Sequence, residues 1–332
     1  MALIKQAKRE QVKTKVLLMS PSGAGKTYSA LRLAKGMGGR TLLIDTEARR
    51  GLYYADEFDY EYVELKEVLQ KDDDYKDYKE ILPRINEPFA PENYIALIRY
   101  AVDNGFNNLI IDSLTHEWNA KGGILDTKNK MPGANDFTKW KTLTPRHDAF
   151  IYEILHSPIN VIATVRGKDE YILEDKDGKK QPKKIGLGAV QRDGMEYEYT
   201  ITFNIDQETH VAYPQKDNTH LFEGRYDMLS EKDGAALVAW ANKGETNASK
   251  DKSYQNKKDE PLTDDGQETE LDEIKSQINT AATEKISEGV DKDTVYAVIV
   301  KHNKKKNPAA IKDLDTAKTI LKEIQELKLE GE

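Results

Sequence analysis

Short apolar runs alternate with amphipathic segments along the first half of the chain. The apolar runs cover residues 15–19, 41–45, 108–112 and 160–164, and apolar positions with helical spacing mark residues 28–35, 94–103 and 145–155. A continuous apolar run is typical of a strand buried on both faces, and strands that alternate with helices favour a parallel sheet between two layers of helices. The pattern therefore predicts an α/β fold with a mainly parallel sheet flanked by helices.

Three further segments depart from this alternation. Residues 196–206 (EYEYTITFNID) and 209–215 (THVAYPQ) alternate with a period of two, which predicts antiparallel strands at the edge of the sheet. Residues 56–92 are rich in Asp, Glu, Tyr and Pro, and we predict that they form an acidic surface insertion. Solvated helix and loop structure is the simplest interpretation of that insertion.

The last part of the chain predicts a linker followed by helices. Residues 243–268 contain few apolar side chains, and a segment that buries so little surface does not order itself. Helical spacing returns at residues 271–286, 291–302 and 311–327, with Asp291 and Asp313 near two of the expected helix starts. We therefore predict a core at 1–242, a flexible polar linker at 243–268 and a small three-helix module at 269–332.

The segment SPSGAGKT at residues 20–27 lies between an apolar run and a helical segment. A strand, loop and helix of this kind present backbone N–H groups, a lysine and the positive end of a helix dipole to phosphates. Ser20 stands where the strict P-loop pattern has glycine, and a fortuitous glycine-rich turn is the alternative interpretation. We predict that this segment binds ATP through Ser22, Gly23, Ala24, Gly25, Lys26, Thr27 and Tyr28.

A magnesium site and a catalytic carboxylate are expected at neighbouring strand ends. Thr27 supplies a hydroxyl ligand for Mg²⁺, and Asp112 ends an apolar run in the form of a Walker B strand. A simple capping role is the alternative for Asp112. Ser113 follows it, where many ring ATPases place a glutamate, so the carboxylate that activates water must come from elsewhere.

Glu47 is the predicted source of that carboxylate. It follows the run 41–45, and the carboxyl ends of parallel strands meet at the edge of the sheet where ligands collect. We predict that Glu47 is the base or the water-orienting group, with Lys26 as its catalytic partner. A surface glutamate or a helix cap is the alternative for Glu47, and Asp45 is interpreted as a group that supports the strand end.

At this point the chain resembles the RecA-like ATPases. Their catalytic glutamate lies in an Ile-Asp-x-Glu stretch and their Walker B strand ends in Asp-Ser, as in LLIDTE and LIIDS here. These two stretches are followed by VIATVRGKDEY, VQRDGMEYEY and a Lys-Asp pair before LFEG. This order of segments resembles that of small RecA-like ATPases of bacteriophages, including single-strand annealing proteins of the Sak type. The resemblance spans about residues 13–240 and implies a RecA-like P-loop core.

The resemblance also implies roles for three later residues. Thr164 and Arg166 match the strand that carries a polar sensor in these proteins, which makes them candidates to register the γ-phosphate. Lys216 matches a lysine offered to the ATP of a neighbouring subunit in a ring or filament, where it would stabilise charge during hydrolysis. Asn218 departs from the arginine that the family pattern favours, and a plain exposed lysine is the alternative for Lys216.

Two segments are candidates for contact with single-stranded DNA, because RecA-like recombinases hold DNA on loops at these places. Residues 121–141 combine lysines, glycines and Trp140, a mixture that can bind phosphates and stack on bases. Residues 176–184 contain five lysines against one aspartate and predict a hairpin or mobile tip around Asp177 and Gly178. The predicted DNA-binding residues are Lys179, Lys180, Lys183, Lys184 and Trp140. A packed Trp140 and solvated lysines are the alternatives.

Composition narrows the remaining possibilities. The 332 residues include no cysteine, which excludes disulfides, thiolate metal sites and cysteine nucleophiles. No apolar run reaches the roughly 18 residues of a membrane span, so we expect no membrane partner and a cytoplasmic location, in the bacterial host if the protein is phage-encoded. The net charge of −8 means that any DNA contact depends on local basic patches.

These features favour a magnesium-dependent RecA-like ATPase that binds single-stranded DNA and promotes annealing or strand pairing during phage recombination or replication. One alternative is an ATP-gated adaptor or loader, whose helical module recruits a replication or single-strand-binding protein. Another is a P-loop kinase that acts on a small molecule, although such enzymes usually clamp their substrates with several arginines and the region after the sensor offers mostly lysines.

Overall fold

A mainly parallel β-sheet forms the centre of the first of two compact units, Met1–Lys258 and Asp259–Glu332. This computed structural model describes residues 6–65, 80–133, 135–176, 179–246, 254, 265–303, 308, 311 and 313–327. The strands of the first unit are β1 (Lys15–Ser20), β2 (Thr41–Asp45), β3 (Glu61–Glu64), β4 (Asn108–Asp112), β5 (Asn160–Lys176), β6 (Lys179–Ala189), β7 (Ile201–Ile205) and β8 (Ala212–Asp217). Its helices are α1 (Lys26–Met37), α2 (Pro91–Asp103), α3 (Thr115–Asn119), α4 (Ile124–Lys130), α5 (Asp136–His156) and α6 (Glu231–Ala241).

The strand order is β3-β2-β4-β5-β1-β7-β8, and β6 pairs with β5 outside this path. Neighbouring strands are parallel except for the β5–β6 and β7–β8 pairs. The predicted α/β class, with a mainly parallel sheet and an antiparallel edge pair, is therefore confirmed. Asp45 lies beside Asp112 in the register, and Ser20 lies beside Arg166. The polar carboxyl ends of β2, β4 and β1 therefore lie side by side, together with the middle of β5.

Burial on both faces explains the continuous apolar runs. Val16, Leu18, Ile110 and Ile162 belong to a core cluster that also includes residues of α1 and α6. The intervening strand residues, such as Leu17 and Met19, are also fully buried. Helix α2 packs against α5 in the same unit. Because neither face meets water, the alternation that marks a half-exposed strand is absent from β1, β2 and β4.

The edge predicted from period-two alternation differs in detail from the structure. Strand β7 pairs in parallel with β1 and only its other side pairs antiparallel with β8. Residues 196 and 197 belong to a 3-10 turn, Met195–Tyr197, and not to a strand. The predicted antiparallel pair is therefore β7 with β8, and β7 is in addition a buried strand that joins the parallel part of the sheet through β1.

The acidic insertion and the first DNA-binding candidate also contain structure that the sequence did not predict. Strand β3 lies within residues 56–92 and adds a parallel edge strand beside β2, whereas residues 66–79 lie outside the described part. Residues 121–141 include α4 and the first residues of α5. Helix α5 begins at Asp136, and the side chain of its N-cap residue Asn135 accepts a hydrogen bond from Thr138 N. The helix therefore starts before the predicted segment 145–155, and Pro145 lies inside it.

The second unit contains α7 (Asp265–Ser287), α8 (Lys292–Asn303) and α9 (Leu314–Gln325). Ile278, Val295, Ile299, Ile320 and Ile324 are buried in a cluster of its own. Helix α7 begins inside the segment predicted as linker, and most of that segment lies outside the described residues. Among the described residues, no helix has the length and apolar character needed to cross a membrane.

Candidate functional site

The loop between β1 and α1 has the backbone geometry of a phosphate-binding loop. Gly23 and Gly25 have φ angles of 88° and 85°, a region that favours glycine, and α1 begins directly after Gly25. The buried Lys26 ammonium donates hydrogen bonds to Ser20 O at 3.0 Å, to Ser20 Oγ at 3.1 Å and to Pro21 O at 2.9 Å. Ser20 therefore contributes an acceptor that glycine would not supply.

A carboxylate faces this loop from the neighbouring part of the sheet. Thr27 Oγ1 donates to Asp112 Oδ2 at 2.5 Å, and Thr164 Oγ1 donates to Asp112 Oδ1 at 2.5 Å. Burial raises the pKa of Asp112, although the two hydroxyl donors act in the opposite direction. Thr164 thus contacts the predicted magnesium ligand, while its predicted contact with the γ-phosphate stays a prediction.

The two predicted magnesium ligands fit that ion. Thr27 and Asp112 offer a hydroxyl and a carboxylate oxygen close together, and Mg²⁺ binds hard oxygen ligands while keeping several waters. A bound cation would offset the cost of burying the Asp112 charge, which hydroxyl donors offset only in part. No group of three or more His, Cys, Asp or Glu residues with metal-binding geometry occurs in the described ranges. A site completed by phosphate oxygens and water agrees with this pair of ligands.

Glu47 lies on the same edge of the sheet and is held by Arg166. The Arg166 guanidinium donates to both carboxylate oxygens, with Nη2 2.6 Å from Oε2 and 2.7 Å from Oε1. Arg50 is more distant, with Nη1 3.6 Å from Glu47 Oε2, and Ser113 Oγ lies 3.4 Å from Oε1. Because Ser113 directly follows Asp112, this contact places the Glu47 carboxylate beside the end of β4, where Asp112 faces the P-loop residue Thr27.

Asp45 fixes the backbone that presents Glu47. Its carboxylate is buried and accepts hydrogen bonds from Glu47 N at 2.5 Å, from Gly51 N at 2.8 Å and from Tyr62 OH at 3.1 Å. Between these anchors, Ala48 and Arg49 adopt φ angles of 56° and 66°, which are uncommon outside glycine. Asp45 therefore supports the strand end, as the sequence suggested, and it also shapes the turn that follows Glu47.

His116 is a site residue that the sequence analysis missed. Its Nδ1 lies 2.6 Å from Thr46 Oγ1, and its Nε2 lies 3.4 Å from Arg166 Nη2. Burial lowers the pKa of His116, which favours the neutral ring beside the Arg166 guanidinium. The sequence signal that could have indicated His116 as a site residue is its position just after Asp112 and Ser113, at the start of α3.

An aromatic cluster beside the start of α1 was also missed. The Tyr28 ring packs edge-on against Tyr54 and Phe58, with centroid distances of 5.4 and 5.3 Å. Tyr28 OH donates to Glu57 at 3.0 Å. Burial, followed by the negative charge of Asp112, raises the pKa of Tyr54. Tyr54 and Phe58 thus pack against the first turn of α1 through Tyr28, a contact that the spacing of these residues along the chain does not predict.

Lys216 makes contacts within its own chain. Its ammonium donates to the backbone oxygens of Tyr197 and Tyr199, the latter at 2.6 Å. It lies on β8, which β7 separates from the P-loop strand β1. Burial lowers the pKa of Lys216. The structure therefore does not place Lys216 at the P-loop of its own chain, and the role in a neighbouring subunit stays a prediction.

The DNA-binding candidates lie on two different elements. The Trp140 ring stacks on Trp118 with a centroid distance of 5.8 Å, and Lys128 Nζ lies 4.9 Å from the centroid of the Trp140 ring. Phe137 on the same helix is 82% exposed, so it is the more accessible ring. Lys179, Lys180, Lys183 and Lys184 lie on β6, opposite β5 in an antiparallel hairpin. Their side chains, and the tip residues Asp177 and Gly178, lie outside the described part of the chain.

The P-loop, the Thr27–Asp112 pair and the mainly parallel sheet define a P-loop nucleotide-binding protein. The model of the family described as AAA domain matches residues 12–253, and the chain belongs to this family. It is therefore a P-loop ATPase. The search of curated proteins gave no match.

Two solved structures are similar to this chain. One is the RadB recombinase, with 11% sequence identity and a TM-score of 0.35, in a match that covers 67% of this chain and 90% of that chain. The other is a prototypical ATPase from the type III secretion system of pathogenic bacteria, with 11% identity and a TM-score of 0.32. That match covers 97% of this chain and 87% of the other.

The Arg166–Glu47 pair gives an expected pH dependence. Burial alone would raise the pKa of Glu47, but the hydrogen bonds and charge of Arg166 lower it below its usual value. If Glu47 acts as a base, it must be ionised, so Arg166→Gln should move the acid limb of ATP turnover to higher pH. The measurement is kcat/KM for ATP across about pH 5 to 8, compared with the wild-type profile. This quantity reports the ionisation of the enzyme before ATP binds, when Arg166 pairs with Glu47.

Arg50→Gln is the graded control for this experiment. Arg50 lies farther from Glu47 and its side chain is 57% exposed, so its removal should move the acid limb in the same direction by a smaller amount. An acid limb that stays in place for Arg166→Gln would contradict the assignment of Glu47 as the titrating base.

Proposed function

We propose that the chain is a magnesium-dependent ATPase that binds single-stranded DNA and promotes annealing or strand pairing during recombination or replication. In this proposal it acts as a ring or filament of identical subunits, as the resemblance to phage-encoded RecA-like ATPases of the Sak type implies. The observation that carries the proposal is the position of Arg166. This residue holds Glu47 and also lies on β5, the strand that continues into the lysine-rich hairpin.

The chemistry of the site follows from the side chains around the P-loop. Lys26 would balance the charge on the outer phosphates, and Thr27 and Asp112 would hold Mg²⁺, which neutralises phosphate charge when it is bound. Glu47 would accept a proton from the attacking water. Arg166 would exchange hydrogen bonds with Glu47 for hydrogen bonds with the γ-phosphate, which leaves the carboxylate available to the water.

A connection from this site to DNA would run through the base of the hairpin. The backbone N–H of Arg166 donates a hydrogen bond to Thr115 Oγ1 at 2.9 Å. On the returning side of the hairpin, Val190 N donates to Arg166 O at 2.7 Å. Gln191, next along the chain, donates to Leu114 O at 3.0 Å. Both ends of the hairpin are therefore attached to the residues that follow the Asp112 strand. A shift of Arg166 towards phosphate would act directly on this base.

Assembly would involve Lys216. For a phosphate of a neighbouring subunit to receive its ammonium, Lys216 would exchange the carbonyl oxygens of Tyr197 and Tyr199 for phosphate oxygens. The exchange replaces neutral acceptors by charged ones, which form stronger hydrogen bonds. ATP turnover per subunit that rises with protein concentration would support this part of the proposal.

The test of DNA binding is a gel-shift titration of single-stranded DNA over a range of salt concentrations, with ADP, ATP or a non-hydrolysable analogue. We expect binding at low salt that depends on the nucleotide. Replacing Lys179, Lys180, Lys183 and Lys184 together by glutamine should weaken binding and reduce the slope of log affinity against log salt by about 0.7 for each phosphate contact removed.

The matched control replaces four exposed lysines elsewhere in the first unit by glutamine, namely Lys13, Lys35, Lys232 and Lys243. This variant has the same net charge as the hairpin variant, so it separates local contact from overall charge. If the two variants bind DNA equally, the hairpin is not the contact. If the wild-type chain binds no DNA at low salt with any nucleotide, the recombination role is wrong.

The adaptor function is the second candidate, because the second unit has a separate hydrophobic cluster and forms a compact body of its own. It predicts that a replication or single-strand-binding protein bound to that unit stimulates ATP turnover, whereas DNA does not. Measuring turnover with DNA and with such a protein separates the two functions. ADP formation that requires a small-molecule acceptor would instead indicate a kinase.

A further inference from the structure

The turn between β7 and β8 contacts the P-loop through two side chains. Gln207 Nε2 donates to Ser22 O at 3.0 Å, and His210 Nδ1 lies 3.2 Å from Ala24 O. A carbonyl oxygen only accepts hydrogen bonds, so the second contact requires the proton of His210 on Nδ1. One turn therefore supplies donors to two carbonyl groups of the phosphate-binding loop.

These two carbonyls alternate with the two glycines that give the loop its shape. Gly23 and Gly25 adopt positive φ angles, and glycine gains that freedom at the cost of a large loss of conformational entropy on ordering. When the N–H groups of such a loop point at an anion, its carbonyls point away from the anion and need other partners. The donors from Gln207 and His210 meet this need and favour one conformation of the loop.

The turn that carries these side chains is itself held in place. Asp206 Oδ1 accepts hydrogen bonds from Glu208 N at 3.1 Å, from Thr209 N at 2.8 Å and from Thr209 Oγ1 at 2.7 Å. His210 has a φ angle of 59°, and its backbone N–H donates to Asp206 O at 3.0 Å. This left-handed conformation brings Nδ1 to 3.7 Å from the point that a Cβ of Gly25 would occupy.

We propose that Gln207 and His210 are positioning residues for nucleotide binding, which hold the P-loop in the conformation that accepts phosphate. The proposal rests on the proposed binding of ATP by this loop. A loop that spends only part of its time in the competent conformation binds its ligand more weakly by that fraction. Removal of the two donors therefore weakens the binding of ATP and ADP alike, whereas the step of hydrolysis is unchanged once nucleotide is bound.

The experiment measures the Kd of ATP and ADP by calorimetry, together with KM and kcat. Because His210 has a positive φ, His210→Gly removes the side chain without strain, and His210→Asn keeps an N–H donor on a residue that tolerates this conformation. We expect about a 5-fold rise in both Kd values for Gln207→Ala and for His210→Gly, and up to about 25-fold for the double variant, with kcat within about 2-fold. His210→Asn should restore most of the affinity.

Glu208→Ala is the matched control, because Glu208 lies in the same turn and has an exposed side chain. Its Kd values should equal those of the wild type. Unchanged Kd values in the double variant would overturn the proposal, and so would a fall in kcat at unchanged Kd or a failure of His210→Asn to restore affinity. A wild-type chain that binds neither nucleotide would remove the proposed function as well, which separates the two failures.

Discussion

Replacing Glu47 by glutamine is expected to lower ATP turnover by about 10²- to 10⁴-fold and to leave ATP affinity nearly unchanged. Glutamine has the shape of glutamate and its carbonyl oxygen can still accept a hydrogen bond from Arg166, which donates to both oxygens of Glu47 in the wild-type chain. It cannot take a proton from water. The loss therefore falls on the chemical step, and it is measured as kcat at saturating ATP alongside the Kd of ATP.

Glu64→Gln is the matched control for this prediction. Glu64 is a largely buried glutamate on the neighbouring strand β3, and it pairs with Arg49 at 3.1 Å. Its replacement changes the charge near the same turn without removing the carboxylate that Arg166 holds, so kcat should stay within about 3-fold of the wild-type value. Equal losses in both variants would mean that charge near the turn matters and that Glu47 has no special role.

The features that the sequence predicted well depend on local chemistry. Strands β1, β2 and β4 are continuous apolar runs because both of their faces are buried, and the P-loop needs glycine at the two positions where φ is positive. Strand β3 lies at the edge of the sheet and only its last residue is buried, so its sequence contains no apolar run. The sequence therefore predicted it as part of an acidic insertion. Its place beside β2 depends on pairing across the sheet.

Contacts between distant residues explain most of what the sequence missed at the site. Arg166 and Glu47 are 119 residues apart, and they meet because β2 and β5 lie on either side of β4, with Glu47 and Arg166 both just past the level at which β4 ends. The contacts of Gln207 and His210 with the P-loop likewise depend on how the β7–β8 turn folds over Gly25. No sequence motif marks either set of contacts, because each follows from the geometry of the sheet and not from the spacing of the residues along the chain.

Replacing Lys26 by alanine is expected to weaken ATP binding by at least about 100-fold and to abolish measurable turnover. At least two charge-assisted hydrogen bonds to phosphate oxygens would be lost, each contributing about 1.5 kcal/mol or more. Calorimetry with ATP gives the affinity, and phosphate release gives the turnover. Lys35→Ala is the matched control, because Lys35 lies on the same helix with an exposed side chain and should leave both quantities unchanged.

The fold should survive this replacement, which makes the loss of binding interpretable. Alanine leaves Ser20 O and Pro21 O without the ammonium donor, but it also removes a charged group whose burial lowers the pKa of Lys26 and so costs free energy. These opposing effects should keep the free energy of unfolding within about 1 kcal/mol of the wild-type value, as measured in urea. A stable Lys26→Ala chain that binds ATP as tightly as the wild type would show that the nucleotide does not occupy this loop.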